Sequence, residues 1–420
     1  MERYQLKRMK KLLTISLGIL SVAAVQSQTQ ISKDELLGQI NVPTTAVPFL
    51  IISPDSRAGG MGDAGVASTP DVNSIHWNPA KLHFLKKKMG YSLSYTPWLR
   101  ALVPDINLAY LTGYYKIKKQ GTFGGSMRYF SLGNITFTDI AGNIIGQFNP
   151  NEFAIDAAYA HPLGEKFSMG LAMRYIYSNL TGGQSAGGST TKPGHAFAVD
   201  VSGYYLNNKM EVGGKKSTFT FGFNISNIGN KISYTQTGTT DFIPINLRLG
   251  TGLDMSLDDY NTFAFIFEIN KLLVPTPPSY ERDANGQPIP NPSGGYVIAA
   301  GKDPDRSVVS GMFGSFTDAP AGFEEELREY NLSGGVEYWY DKQFAVRAGY
   351  FHEHETKGNR KYFTVGLGLR YNVFGLDMAY LVPTVQKHPL QNTLRFTLIF
   401  DLEAFKSQNS GGDSGDAPKN

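Results

Sequence analysis

Ten residues near the end of the chain decide the fold: Thr393-Leu394-Arg395-Phe396-Thr397-Leu398-Ile399-Phe400-Asp401-Leu402. Every second side chain from Leu394 onward is apolar, and most of the residues between them are polar or charged. Alternation with a period of two is typical of a β-strand, whose successive side chains point to opposite faces. One face of this strand therefore carries Arg395 and Asp401, which a protein core does not accept without partners.

The same alternation recurs from Met89 onward. Most of these segments run for about ten residues, the length that a tilted strand needs to cross a membrane, whereas strands in soluble sandwiches usually have about five or six. The pattern predicts an all-β fold, a fourteen-stranded antiparallel transmembrane β-barrel within residues 89–405. Two soluble β-sandwiches are the alternative that the period alone leaves open. The segments lie near residues 89–96, 105–115, 121–131, 151–160, 167–177, 195–206, 217–228, 243–254, 261–270, 331–340, 343–352, 361–371, 373–382 and 393–402.

The connections between these segments alternate in length. Short turns such as Asp341-Lys342 follow every second segment, and most of the remaining connections are longer, such as Leu132 to Pro150 and Ser178 to Gly194. Outer-membrane barrels have tight periplasmic turns and longer extracellular loops. The alternation therefore predicts an outer-membrane barrel whose long loops lie on the cell surface.

The two faces of the predicted strands differ in chemistry. One face is rich in Phe, Leu and Tyr, which suits contact with lipid. In this register Phe221 and Leu398 face lipid, whereas Thr220 points to water in the lumen. The opposite face holds charged residues: Arg128, Asp156, Arg174, Asp200, Arg248, Glu268, Glu337, Arg347, Arg370 and Asp377.

Composition narrows the classes of function. The net charge is +3, and the 39 basic residues are spread among 36 acidic ones, whereas a nucleic-acid-binding protein needs a basic cluster. With Cys 0, disulfides, thiolate metal sites and cysteine nucleophiles are excluded. The seven histidines show no spacing with Ser or Asp that indicates catalysis. We therefore expect a protein without enzymatic activity, cofactor or metal site.

The chain divides into four predicted regions. Residues 1–27 have the basic start, apolar stretch and small residues of a signal peptide, with either Met1 or Met9 as the start. Residues 28–88 lack strand periodicity, and we expect them to begin in the periplasm and fold inward as a plug. The barrel, 89–405, carries a long extracellular insertion at 271–330. Residues 406–420 are rich in Gly, Ser and Asp and are expected to be disordered.

Two short motifs in the chain have a simpler explanation than a ligand site. Residues 60–65 match the dinucleotide fingerprint G-x-G-x-x-G, but no βαβ unit surrounds them. We interpret Gly60, Gly62 and Gly65 as glycines that permit tight backbone packing in a narrow lumen. The run His352-Glu353-His354 lacks a third ligand and lies at a predicted loop, so it does not indicate a metal site.

The stretch from Arg57 to Ala67, followed by Trp77-Asn78-Pro79-Ala80-Lys81-Leu82, resembles the N-terminal signature of the FadL-like outer-membrane barrels. That family has fourteen strands and a hatch inside the barrel that carries Asn-Pro-Ala. The resemblance assigns this role to Asn78, Pro79 and Ala80.

Within these barrels, the chain is most similar to the outer-membrane component of the type IX secretion system of Bacteroidota, above all from Thr44 to Leu82. This resemblance implies a barrel that binds the translocon pore protein and receives secreted cargo by its C-terminal signal domain. The barrel would then deliver the cargo to a surface attachment complex that contains a sortase-like protease.

Two functions follow from these observations. In a partner-binding barrel, apolar residues of the insertion contact the cargo or the translocon; the candidates are Val308, Val309, Met312, Phe313 and Phe316. In a FadL-like channel, a hydrophobic small molecule enters from outside and leaves through a kink at Gly124-Gly125. The charged lumen face favours partner binding, because it would repel an apolar solute.

Overall fold

The computed structural model describes residues 32–100, 103–117, 120–138, 141–183, 185–186, 189–235, 240–385 and 388–401. Its fourteen long strands pair antiparallel in chain order and close into a barrel, so the predicted fold is confirmed. The signal peptide predicted at 1–27 and the tail predicted at 406–420 lie outside the described residues. The strands are β1 (Met89–Pro97), β2 (Ile106–Ile117), β3 (Gly121–Leu132), β4 (Asn151–Pro162), β5 (Phe167–Asn179), β6 (Gly194–Val212), β7 (Lys215–Gly229), β8 (Asn246–Ser256), β9 (Asn261–Leu272), β10 (Asn331–Tyr340), β11 (Phe344–His352), β12 (Lys361–Tyr371), β13 (Phe374–Pro383) and β14 (Leu394–Phe400).

Burial alternates along the strands as the sequence predicts. Phe221 is 42% exposed on the outside of β7, whereas its neighbour Thr220 is 0% exposed. Leu398 is likewise exposed on the outside of β14, where it lies opposite Leu93 of β1 at the closure of the barrel. The predicted register is therefore confirmed, and the apolar outer surface is available to lipid.

The two rims of the barrel differ as the loop lengths predict. Gly213 and Gly214 join β6 to β7 with φ values of +58° and +74°, the left-handed geometry that suits a two-residue hairpin. This short-turn rim faces the periplasm in an outer-membrane barrel, and the long-loop rim faces the cell exterior. The long loops contain three small hairpins: Ile135–Thr138 with Ile144–Phe148, Ser185–Ala186 with Ser189–Thr190, and Ser279–Tyr280 with Ile298–Ala300.

Residues 32–46, which we call the strap, lie at the long-loop rim and include the helix α1 (Lys33–Gly38). The backbone N–H of Asn41 donates to the carbonyl oxygen of Thr356, and that of Ala46 donates to the carbonyl oxygen of Phe242, both over 2.9 Å. The expectation that the segment preceding the barrel begins in the periplasm is therefore wrong for these residues. An even number of strands places the start of β1 and the end of β14 on the same rim. It does not determine where the residues before β1 lie, because they can cross the lumen before the first strand begins.

Residues 47–85, which we call the inner segment, run from the long-loop rim through the barrel to the short-turn rim. They form two short helices, α2 (Ser56–Gly59) and α3 (Ser74–Trp77), and the 3₁₀ turns Pro48–Ile51 and Pro79–Phe84. At the end of β2, the Nζ of Lys116 donates to the carbonyl oxygens of His83 and Leu85, each over 2.8 Å. These bonds hold the last turn of the inner segment at the periplasmic rim.

The insertion between β9 and β10, residues 273–330, packs beside the barrel at the long-loop rim. It contains the helices α4 (Val308–Gly314) and α5 (Phe323–Arg328), and the β11–β12 loop beside it contains the 3₁₀ turn Glu355–Lys357. A buried cluster beneath α4 also receives Ile225 and Leu247 from the outward faces of β7 and β8. The cluster consists of Phe242, Ile245, Leu273 and Val274. None of the helices in the described part of the chain is both long and apolar enough to cross a membrane.

Candidate functional site: the inner segment and the insertion

The glycines that the sequence singled out lie in very tight surroundings. Gly62 has a φ of +72°, and a Cβ there would lie 2.6 Å from the carbonyl oxygen of Tyr350. A Cβ on Gly65 would lie 2.2 Å from the indole of Trp77. Gly60 meets the barrel wall, where a Cβ would lie 3.1 Å from the Cα of Gly366. A larger side chain at Gly62 or Gly65 would require the surrounding structure to move.

The barrel wall offers matching glycines on its inward face. They are Gly170 in β5, Gly222 in β7, Gly335 in β10 and Gly349 in β11, where a Cβ would lie 2.1 to 2.5 Å from backbone atoms of Ala80, Val66, Met61 and Gly62 respectively. Backbone therefore packs on backbone around the lumen. Sequence reasoning missed this fit, because a glycine within a strand does not indicate which distant residue lies opposite.

Asn78 joins three parts of the molecule by hydrogen bonds. Its side-chain amide donates to the carbonyl oxygens of Val66 and of Gly203 in β6, each over 3.0 Å. Its Oδ1 accepts from the N–H of Ala80 at 3.1 Å and caps the 3₁₀ turn that Pro79 begins. Because Asn78 is fully buried, replacing it with an apolar residue would leave several backbone groups without partners.

A buried ionic network ties the inner segment to the wall. Arg57 donates to both carboxylate oxygens of Glu337, over 3.0 and 2.7 Å, and to Asp71 over 2.9 Å. Arg347 donates to the same Glu337 over 2.6 Å and to Asp377 over 2.9 Å. The sequence analysis placed Glu337, Arg347 and Asp377 on the lumen face but missed Arg57, because 280 residues separate it from Glu337.

The inner segment occupies space that the sequence analysis assigned to water. Thr220 donates its hydroxyl to the carbonyl oxygen of Ala67 over 2.7 Å, so the expectation that Thr220 points to water is wrong. Gly124 also faces the inner segment, where a Cβ would lie 2.8 Å from Ile75. Strand β3 stays paired with β2 and β4 through Gly124 and Gly125, so this pair forms no lateral opening in the described wall.

The five candidate residues of the insertion divide between two sides of α4. Val308 and Met312 pack against the buried cluster beneath the helix. Val309 is 60% and Phe313 68% exposed, and Phe316 just beyond the helix is also exposed. Val309 and Phe313 are four residues apart and therefore share one face of the helix. We call Val309, Phe313 and Phe316 the outer apolar face.

A second buried ionic cluster anchors the insertion to the rest of the molecule. Glu329 accepts from Lys271 over 2.6 Å and from Lys357 over 2.9 Å. Glu325 accepts from Lys357 over 2.7 Å and from the side-chain amide of Asn41 over 2.9 Å. The cluster thus joins α5 to β9, to the β11–β12 loop and to the strap.

One acidic group inside the insertion is poorly solvated. Asp318 is buried within the insertion, 3.7 Å from the guanidinium of Arg306. Burial, together with the negative charge of Glu326, raises the pKa of Asp318 to about 6. Its carboxyl group is therefore more easily protonated than an exposed aspartate.

A closed barrel of fourteen antiparallel strands, apolar outside and charged inside, defines an outer-membrane β-barrel protein. The family model described as Type IX secretion system protein PorV matches residues 36–279, more than half of the chain. The chain belongs to this family, and the protein is located in the outer membrane. The matched part contains most of the strap, the whole inner segment and the strands through β9, and it ends before α4.

Solved structures of outer-membrane barrels are similar at low identity. The toluene transporter TodX of Pseudomonas putida is 10% identical, with 86% of this chain and 99% of that chain covered and a TM-score of 0.46. A FadL homologue of Pseudomonas aeruginosa is 10% identical, with coverage of 86% and 99% and a TM-score of 0.41. The toluene transporter TbuX of Ralstonia pickettii is 10% identical, with coverage of 82% and 96% and a TM-score of 0.40. No curated protein matches the chain.

Proposed function

We propose that the protein is the non-enzymatic outer-membrane barrel of a type IX secretion system. In this role it binds the translocon pore protein, receives secreted cargo through the C-terminal signal domain of the cargo, and delivers it to a sortase-like attachment complex. The observation that carries this proposal is the family match over residues 36–279. The filled lumen supports partner binding, because it leaves the surface of the barrel as the place for contacts.

We place one partner contact on the outer apolar face. Val309 and Phe313 are large apolar side chains that the fold leaves exposed at the cell-surface rim. Exposed apolar groups on a firm base are typical of protein-binding surfaces, and aromatic residues often dominate such contacts. The buried apolar cluster beneath α4 supplies the firm base, so the face need not become ordered on binding.

The test replaces Val309, Phe313 and Phe316 together with Ser. Each apolar side chain buried at an interface contributes roughly 1.5–3 kcal/mol, so a micromolar contact should weaken at least a hundredfold. The barrel should still assemble, because Val308 and Met312 keep α4 packed. Heat-modifiable gel mobility measures folding, co-purification of the translocon and cargo measures binding, and surface display of cargo measures function.

The matched control replaces Ile135 and Ile144 with Ser. Both are exposed apolar residues of another long loop on the same rim. We expect the control to bind and display cargo normally. Normal display by the triple variant would contradict the contact site, and loss of display by the control would move the contact to the loop after β3.

We also propose that residues 28–88 act as a plug that closes the barrel at rest. The described part of this segment packs on wall glycines and hydrogen-bonds to the lumen face of several strands. Planar-bilayer recordings should show little conductance for the intact protein and more after deletion of residues 44–82. Large steady currents from the intact protein would contradict the plug and favour the alternative, a FadL-like channel for hydrophobic small molecules.

A further inference from the structure

The short-turn rim encloses a cavity that the proposed function does not use. It has a volume of about 680 Å³ and adjoins a second cavity of about 590 Å³. The two share part of their lining, including Trp339 of β10 and Asp401 beyond β14. The inner end is closed by the ionic network around Arg57. The cavity is therefore a blind vestibule at the periplasmic end of the barrel.

Three lysines give the vestibule an excess of positive charge. Lys86, Lys216 and Lys342 line it and are exposed, and none forms an ion pair with another described residue. The other charged groups of the lining are mostly neutralised: Arg57 binds Asp71 and Glu337, Lys87 binds Asp401, and Arg370 binds Asp377. Asp254 is the acidic lining residue without such a partner among the described residues, so the three lysines exceed it in charge.

The rest of the lining suits a peptide. Side chains of Asn208, Thr218, Ser256 and Thr262 offer hydrogen-bonding groups for a backbone, and Trp339 and Phe84 offer aromatic surfaces. Lys86, Lys216 and Lys342 line the mouth of the lumen instead of the outer wall, so they face periplasmic solution and not the headgroups of the surrounding leaflet.

From this geometry we propose that the vestibule binds an acidic peptide segment of a periplasmic protein. Carboxylates of the segment contact Lys86, Lys216 and Lys342, and its backbone bonds to the hydroxyl and amide groups of the lining. This site lies on the opposite rim from the outer apolar face. The binding does not depend on the type IX role, and either proposal can fail without the other.

The test uses the full chain in nanodiscs of a neutral phospholipid. The probe is a fluorescein-labelled peptide of about ten residues with four glutamates, and the reference probe carries four glutamines instead. Fluorescence anisotropy measures binding, and quenching of the tryptophan fluorescence that is absent in Trp339→Phe reports whether the peptide enters the vestibule. We expect the acidic peptide to bind at least tenfold more tightly than the glutamine peptide, and more weakly in high salt.

The decisive variant replaces Lys86, Lys216 and Lys342 together with Gln, and we expect it to bind the acidic peptide about tenfold more weakly. The matched control replaces Lys166, Lys209 and Lys215 with Gln, which removes the same charge from the same rim outside the vestibule. Binding by the control should stay within twofold of the unaltered protein. Heat-modifiable gel mobility confirms that both variants are folded.

Three results would overturn the proposal. Equal binding of the acidic and glutamine peptides would show that charge does not select the ligand. Equal weakening by both triple variants would mean that the charge of the whole rim attracts the peptide without a site. Unchanged binding of the acidic peptide by the variant of Lys86, Lys216 and Lys342 in neutral nanodiscs would show that these lysines do not bind it.

Discussion

The inner segment and the insertion are held in place by opposite kinds of contact. The inner segment is surrounded by the charged face of the wall and is held by buried ion pairs, amide hydrogen bonds and contacts between glycines. The insertion packs on an apolar cluster and leaves Val309 and Phe313 exposed to its surroundings. Inside the barrel, polar contacts fix the path of the inner segment. On the insertion, the exposed apolar side chains of α4 have space around them for another molecule. Under the proposed function, the contacts in the lumen stabilise the fold and the exposed apolar face at the rim binds a partner.

The largest expected loss of stability comes from breaking the ionic network of the inner segment. Arg57→Met leaves Glu337 and Asp71 short of a partner in a buried site, and removing one member of such a network costs about 3–5 kcal/mol. The comparison variant is Glu324→Gln in the insertion, whose pairs with Arg328 and Lys33 are partly exposed and contribute at most about 1 kcal/mol. Urea unfolding followed by gel mobility measures both. Equal losses would mean that the lumen network stabilises the fold no more than a surface pair.

The second prediction compares the two sides of one strand. Phe221→Arg places a charge against lipid and should cost roughly 2–4 kcal/mol near the midplane of the bilayer. Thr220→Arg should be no milder, because Thr220 is in contact with the inner segment at Ala67. Folding yield in lipid vesicles checks the pair. A clearly milder effect of Thr220→Arg would show that the inner segment moves aside easily.

A third prediction tests how much the close backbone packing at Gly62 contributes to stability. Gly62→Ala forces a Cβ into a left-handed conformation and toward the carbonyl oxygen of Tyr350, and we expect a loss of about 2 kcal/mol. Gly38→Ala in the strap is the control, since a Cβ there meets nothing within 4 Å. Thermal loss of the folded gel band measures stability. A midpoint unchanged by Gly62→Ala would mean that the turn relaxes without cost.

The smallest expected effect concerns the insertion and depends on pH. The pKa of Asp318 is raised from 3.8 to about 6, so the folded insertion binds a proton more readily than the unfolded one between these values. Its stability therefore falls as the pH rises through this range and stays lower above pH 6. When each rate is divided by that of an unfolded substrate at the same pH, limited proteolysis should cut the insertion faster at pH 7 than at pH 4.5, and Asp318→Asn should remove the difference. A pH dependence retained by Asp318→Asn would assign it to another group.

Period-two alternation predicts the barrel because each strand needs apolar side chains toward lipid and polar side chains toward the lumen. The same physics explains why Phe221 and Thr220 are placed correctly on their faces. It cannot predict that Ala67 occupies the space beside Thr220, since that contact joins residues 153 positions apart. Val308 packs inward and Val309 stays exposed because Phe242 and Ile245, from a separate loop, lie beneath one side of α4. The sequence of α4 alone does not predict this difference. The sequence therefore predicts which face of a strand a residue lies on, but it does not predict which distant residue fills the space beside it.

The path of the first residues has a consequence for assembly. The strap is fastened at the cell-surface rim, β1 starts at the periplasmic rim, and the inner segment between them fits its surroundings to within the size of a methyl group. A wall this close leaves no room to thread the inner segment through a barrel that has already closed, so we expect the strands to wrap around it before β1 and β14 join. That order would carry the strap to the cell surface inside the wall, so that its polar groups would cross the membrane without contact with the hydrocarbon of the bilayer.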